Sequence, residues 1–161
     1  MAIETPQPGS TVGAGAGAGP QLALQAVYLK DCSFEAPLGP RVTGDWNPQI
    51  GLDLNTAVAT IEGELREVLL TVTVSAKQGE QTSFLVEVKQ AGAFVMQNLS
   101  EMDFRRAVGV ICPAVLFPYV RAVVSQLVSL GGFPQLLLPP VNFEALFAAN
   151  NPEPPASETK N

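Results

Sequence analysis

Histidine is absent from this chain, and that removes most of the chemistry a small protein could carry. No Ser-His-Asp or Cys-His nucleophile system can be assembled, and the common histidine-bearing zinc sites are excluded with it. No GxxxxGK[ST] motif occurs, and the glycines from Gly13 to Gly19 precede no strand-to-helix turn, so nucleotide hydrolysis has no machinery. Cys32 and Cys112 lie far apart with no CxxC spacing, which reads as two reduced, buried thiols. Carboxylates remain. Asp31 and Glu35 share one face of a strand, but four residues at about 3.3 Å each separate their backbones by roughly 13 Å, beyond the spacing of a glycosidase pair. They form a surface, and the chain reads as a non-enzyme with no cofactor and no metal.

The other candidates bind instead of react. Leu85, Glu87 and Lys89 alternate with Phe84, Val86 and Val88. That places a leucine beside an acid on one strand face, which is either ordinary solvent-facing residues or a surface for a partner. Aromatic and apolar residues crowd the C-terminal third, in Cys112 to Arg121, Gly132 to Leu136 and Pro139 to Phe147. So small a chain cannot bury that much apolar surface alone, so the excess is offered to copies of itself or to a partner. Trp46 and Phe133 sit beside Pro and Gly in loops, where a large ring is hard to bury. They are the better candidates for an apolar groove.

The elements that must hold these residues emerge from hydrophobic period. Leu22 to Ala36 alternates in twos, with Leu22, Leu24, Ala26, Tyr28, Lys30, Cys32, Phe34 and Ala36 on one face and Asp31, Ser33 and Glu35 on the other. Ile50, Leu52 and Leu54 begin a second strand, and Leu65 to Lys77 is a third. The turn Gln78-Gly79-Glu80 leads into a fourth strand, Gln81 to Gln90, as an antiparallel hairpin. Ser100, with Asp103 three residues on, starts a short helix that Pro113 must bend or interrupt. A second helical run, Phe117 to Leu130, is apolar over most of its circumference and stops at Gly131-Gly132. Its cover exceeds what one sheet supplies, which implies a subunit interface. A Pro/Gly-rich loop then leads to a last short helix from Asn142, its N-cap, to Ala149. The fold class is α+β: a four-stranded antiparallel sheet with C-terminal helices packed at one side.

Residues 1–20, rich in Gly and Ala, read as a disordered arm and residues 150–161 as a disordered tail, leaving one domain over 21–149. A formal charge of -6 with Arg105-Arg106 as the only basic pair argues against nucleic acid. Glu4 stands where a secretory signal needs positive charge, and Val110 to Val128 is broken by Pro113, Pro118, Arg121 and Gln126. A cytoplasmic protein without direct membrane insertion is expected.

Several spaced segments in order, Tyr28 to Pro37, Asp45 to Pro48, Gly79 to Val88 and the apolar C-terminal motifs, closely resemble SecB, the bacterial protein-export chaperone family. The likeness runs from about Val27 to Phe147. It implies a homotetramer, a dimer of dimers, that holds unfolded precursor proteins without ATP and delivers them to the translocase motor SecA. By resemblance, Asp31, Glu35, Leu85 and Glu87 dock SecA. Trp46, Phe117, Tyr119, Phe133, Leu136 and Leu138 wall the precursor groove. Val86, Val88, Gln90, Val120, Val124 and Leu127 lie at subunit contacts. The same fold also serves chaperones dedicated to a single client such as an antitoxin; the intact acidic constellation favours the translocase partner.

Overall fold

The computed structural model describes residues 19–40 and 44–152. Most of the expected arm and tail therefore lies outside the described residues. Four strands, β1 (Gln21–Glu35), β2 (Gln49–Glu62), β3 (Leu65–Gln78) and β4 (Gln81–Gln97), form one antiparallel sheet in the order β1-β4-β3-β2. The alternation of β3 and β4 explains the layering. Val68, Leu70, Val72, Val74 and Ala76 of β3 and Phe84, Val86 and Val88 of β4 point to one face and are buried. The residues between them form the opposite face.

Two features of the sheet differ from the alternation read in the sequence. The register of β1 on β4 slips between Leu24 and Ala26 and again between Leu29 and Asp31. Each bulge inserts one residue, and each reverses the facing of the residues after it. Between the bulges Tyr28 therefore joins the outer face, opposite Ala91, although simple alternation sets it with Phe34. After the second bulge the phase returns. The other difference is length: β4 runs on to Gln97 through Ala91-Gly92-Ala93. These small residues have weak strand preference, but at Gly92 the helical layer lies close over the strand, since a Cβ there would stand 3.0 Å from Leu116.

The helical layer is α1 (Glu101–Arg106), a π turn (Ala107–Ile111), α2 (Cys112–Leu130) and α3 (Phe143–Asn150). Ser100 caps α1 by accepting from the Asp103 amide at 3.1 Å, and Asn142 caps α3 by accepting from the Ala145 amide at 3.0 Å. Pro113 does not interrupt the run. It occupies the first turn of α2, where its missing N–H costs little, and the wider π turn before it closes with the Cys112 amide donating to the Ala107 carbonyl. Glu101–Leu130 is thus one helical stretch, long and apolar enough to cross a membrane. Here its inner side lies on the sheet, with Cys112, Leu116, Val120, Val124 and Val128 fully buried. The α3 helix folds back on the π turn: Phe143 meets Phe117 edge-on at 5.9 Å, and Glu144 pairs with Arg106 at 3.1 Å.

Candidate functional site

Four rings converge at one end of the sheet. Phe34 comes from the end of β1, Trp46 from the segment leading into β2, Phe84 from the start of β4 and Phe133 from the loop after α2. The Phe84 and Phe133 centroids are 5.1 Å apart, Trp46 and Phe133 5.4 Å, and Phe34 and Phe84 6.0 Å. These separations lie in the range where aromatic pairs attract. A hydrogen bond helps to place the tryptophan: Gln78 donates from Nε2 to the Asp45 carbonyl at 2.9 Å, fastening the Trp46 segment to the β3–β4 turn. Trp46 is the chain's single tryptophan, and it remains exposed over 37% of its surface. Beside it opens a cavity of about 170 Å³ lined by Leu38, Gly39, Trp46, Gln78, Gln81, Ser83 and Phe133.

Trp46 and Phe133, expected together in a groove, are together. The remaining expected groove residues are dispersed. Phe117 is buried against Phe143 and lines a separate cleft with Pro118, Arg121 and Pro140. Leu138 is buried in the core, and Leu136 packs half-buried against it. Tyr119 sits on the opposite side of α2 from the sheet and is 49% exposed. The reason is helical period: Phe117 and Tyr119 differ by two residues, which points them about 200° apart on a helix. Phe34 and Phe84 belong to the cluster but read in the sequence only as inward strand residues. The signal that marks them is their place as the inward aromatics nearest the strand ends.

The outer sheet face carries the acids. Glu35 pairs with Leu85, Ser33 with Glu87 and Asp31 with Lys89 across the β1–β4 ladder. Asp31, Glu35, Leu85 and Glu87 thus occupy one patch on the face turned away from the helices. Lys89 approaches Glu87 at 3.7 Å, and Thr71, Thr73 and Ser75 of β3 continue the polar surface. Farther along, Lys30 reaches Glu67 at 2.5 Å and Tyr28 donates to the same carboxylate, so two β1 side chains bridge β4 to grip β3. The Lys30 hydrogen bond, aided by that of Tyr28, holds the Glu67 carboxyl below its usual range. The same bond to Glu67 raises the Tyr28 phenol to about 12.

Most of the residues expected at subunit contacts are covered within the protomer. Val86, Val88, Val120 and Val124 have no exposed surface within the single chain, and Gln90 retains 3%. They lie where α2 crosses β4, a central strand, so the protomer itself covers them. Leu127 is half-buried. Apolar surface is left uncovered on the other side of the helical stretch, by Ile111 of the π turn and by Val115, Tyr119 and Leu130 of α2, the last 75% exposed. Cys112 is buried, and desolvation pushes its thiol up to about 12, whereas Cys32 is exposed on the edge strand β1. The expectation of two buried thiols therefore holds for Cys112 alone.

A family model described as SecB, preprotein translocase subunit SecB, matches residues 15–153. The chain belongs to the SecB family. It is 46% identical over 145 residues to the protein-export protein SecB of Ectopseudomonas mendocina, spanning 89% of this chain and 90% of that one. To the protein-export protein SecB of Pseudomonas fluorescens SBW25 it is 47% identical over 131 residues, 81% of this chain and 82% of the relative. The SecB of Pseudomonas paraeruginosa PA7 gives 48% over 131 residues, 80% of each chain. Among solved structures, a SecB-like chaperone of Mycobacterium tuberculosis in complex with a peptide from the HigA1 antitoxin superposes with a TM-score of 0.64. That match covers 74% of this chain and 90% of that one at 16% identity, which is a likeness of fold. The four-stranded antiparallel sheet with its C-terminal helix is thus a SecB-like architecture.

Proposed function

We propose that this chain is an export chaperone of the SecB kind, which holds unfolded precursor proteins and passes them to SecA. The observation that carries the reading is the pairing, in one SecB-family chain, of a solvent-open aromatic pocket on the helix side of the sheet with the Asp31, Glu35, Leu85 and Glu87 patch on the other side. Extended precursor segments seat aromatic or aliphatic side chains against Trp46 and Phe133. Burial of apolar surface is nearly indifferent to sequence, which suits a protein with many clients. A folded client hides those side chains and is ignored.

The working form is a cytoplasmic homotetramer. Ile111, Val115, Tyr119 and Leu130 supply the apolar surface that another copy covers, and several pockets per assembly bind one long chain by linked weak contacts. Release uses no ATP: SecA, docked on the acidic patch, competes for the client. A chaperone dedicated to one client such as an antitoxin is not favoured, because the relatives that share almost half of this sequence are protein-export proteins.

Light scattering on a sizing column, without ATP, tests this. The protein alone should elute at tetramer mass and should co-elute with an unfolded, slow-folding precursor but not with the same precursor folded. A monomer, or an oligomer indifferent to unfolded chains, overturns the reading.

A further inference from the structure

Gly131 and Gly132 together end α2, but only one of them needs to be glycine for its backbone. Gly132 has φ +83°, a left-handed conformation that favours glycine. Gly131 has φ -71° and ψ -3°, which any residue adopts. Its amide donates to the Leu127 carbonyl at 2.9 Å as a helical residue's would. What distinguishes Gly131 is space. A Cβ there would stand 2.6 Å from Cε1 of Phe34 and closer still to Cζ. The ring of Phe34 thus lies flush against the end of α2, where only a hydrogen atom fits between them.

Phe34 is half-buried, and its ring neighbours lie on the pocket side. Phe84 lies 6.0 Å and Phe133 6.3 Å from it, centroid to centroid. Phe133 in turn lines the cavity beside Trp46. An atom added at position 131 meets the movable end of the Phe34 side chain, and the displaced ring pushes on Phe133. From this geometry we infer that Gly131 is a positioning residue for the client pocket: acting through Phe34 and Phe133, it sets the width of the cavity and so its acceptance of aromatic against smaller aliphatic client side chains. This rests on the chaperone reading and adds a specificity determinant that touches no client.

The test uses the full-length chain and two fluorescently labelled extended peptides, identical except for a central Phe or Leu, with binding read by anisotropy. Gly131→Ala should weaken the Phe peptide about tenfold, the discrimination one methylene gives in an apolar pocket, and the Leu peptide much less. Gly131→Ala combined with Phe34→Leu should recover the Phe peptide, because the shorter side chain makes room for the added methyl. Phe34→Leu alone adds no atom at 131 and should still alter the Phe-to-Leu preference, which keeps the test intact if Gly131→Ala folds poorly. Equal affinities of Gly131→Ala and the parent for the Phe peptide, no recovery in the double variant, or an unchanged preference in Phe34→Leu each overturn the inference while leaving the chaperone reading standing. A parent protein that binds neither peptide overturns both.

Discussion

Glu35 and Leu85 are direct cross-strand partners on the outer face of the sheet, one residue in sequence from Phe34 and Phe84, which stack on each other on the inner face. The same two strand positions therefore supply the acidic patch and the aromatic cluster. Substitutions on one face should leave the other face's partner bound.

Charge reversal at Glu35 or Glu87 to lysine should weaken SecA binding by about tenfold or more, since it sets a positive charge within the acidic patch proposed as the docking surface, with client affinity unchanged. Calorimetry against SecA, in parallel with a client-binding assay, reads both. Loss of client binding in these variants would contradict the division of faces.

Trp46→Ala should lower affinity for unfolded clients by about 1 to 2 kcal/mol, as expected for an aromatic anchor in a partly exposed pocket. Because Trp46 is the chain's single tryptophan, its emission reports the pocket directly. A blue shift on adding an unfolded client, absent with the folded one, is the expected signal.

Val115→Asp or Tyr119→Lys places a charge on the uncovered side of α2, where a partner copy would have to desolvate it. Light scattering should show the assembly falling to a smaller species while circular dichroism remains that of a folded protein. An unchanged mass would move the subunit contact elsewhere.

Titration of the Tyr28, Lys30 and Glu67 cluster has a definite sign on both sides. Glu67, with its folded pKa lowered, contributes stability present above its unfolded value and lost as pH falls through the folded one. Tyr28, raised from 10.0 to about 12, contributes stability that is full below 10 and lost as pH rises through about 12. Glu67→Gln removes the acid-side contribution, and alkaline phenolate absorbance should then show Tyr28 ionising at lower pH than in the parent.

Gly92→Ala should destabilise the fold by about 1 to 3 kcal/mol, the usual cost of overpacking, because the new methyl meets the Phe94 ring at 2.6 Å and Leu116 at 3.0 Å. Urea denaturation measures it. A midpoint unchanged from the parent would mean that α2 is not held as close to β4 as the geometry has it.

Much of this architecture is legible in the residues, and the failures share a cause. The β3–β4 hairpin and the caps at Ser100 and Asn142 are local, set by neighbours a few residues apart. The outward turn of Tyr28 is not local: it depends on bulges that only pairing with β4 creates. The extension of β4 through Ala91-Gly92-Ala93 is stabilised by α2 lying over it, a contact no window of sequence contains. Phe117 and Tyr119 part company because two residues on α2 turn about 200° around the helix, so grouping them in one groove overlooks the helical period that the sequence carries. Phe34 and Phe84 reach the pocket by way of sheet topology. The acidic patch is easier to read, because no register shift falls between Asp31 and Glu35 or between Leu85 and Glu87.

The two bulges of β1 have a consequence for how this chain can change. Each reverses the facing of everything after it, and because there are two, Phe34 still faces the pocket and Glu35 still faces outward. Gln25 and Lys30, which have no partner in the β4 ladder, are the inserted residues: loss of either with its bulge would leave Phe34 opposite Val86 and Glu35 opposite Leu85, whereas loss or gain of one residue between Asp31 and Phe34 with no bulge to absorb it would exchange the two faces, setting a carboxylate among the aromatic rings. Single insertions and deletions in β1 can be accepted only where a bulge takes up the change, so the places of the two bulges, and not only the composition of the strand, decide which side chains meet the aromatic cluster and which join the acidic surface.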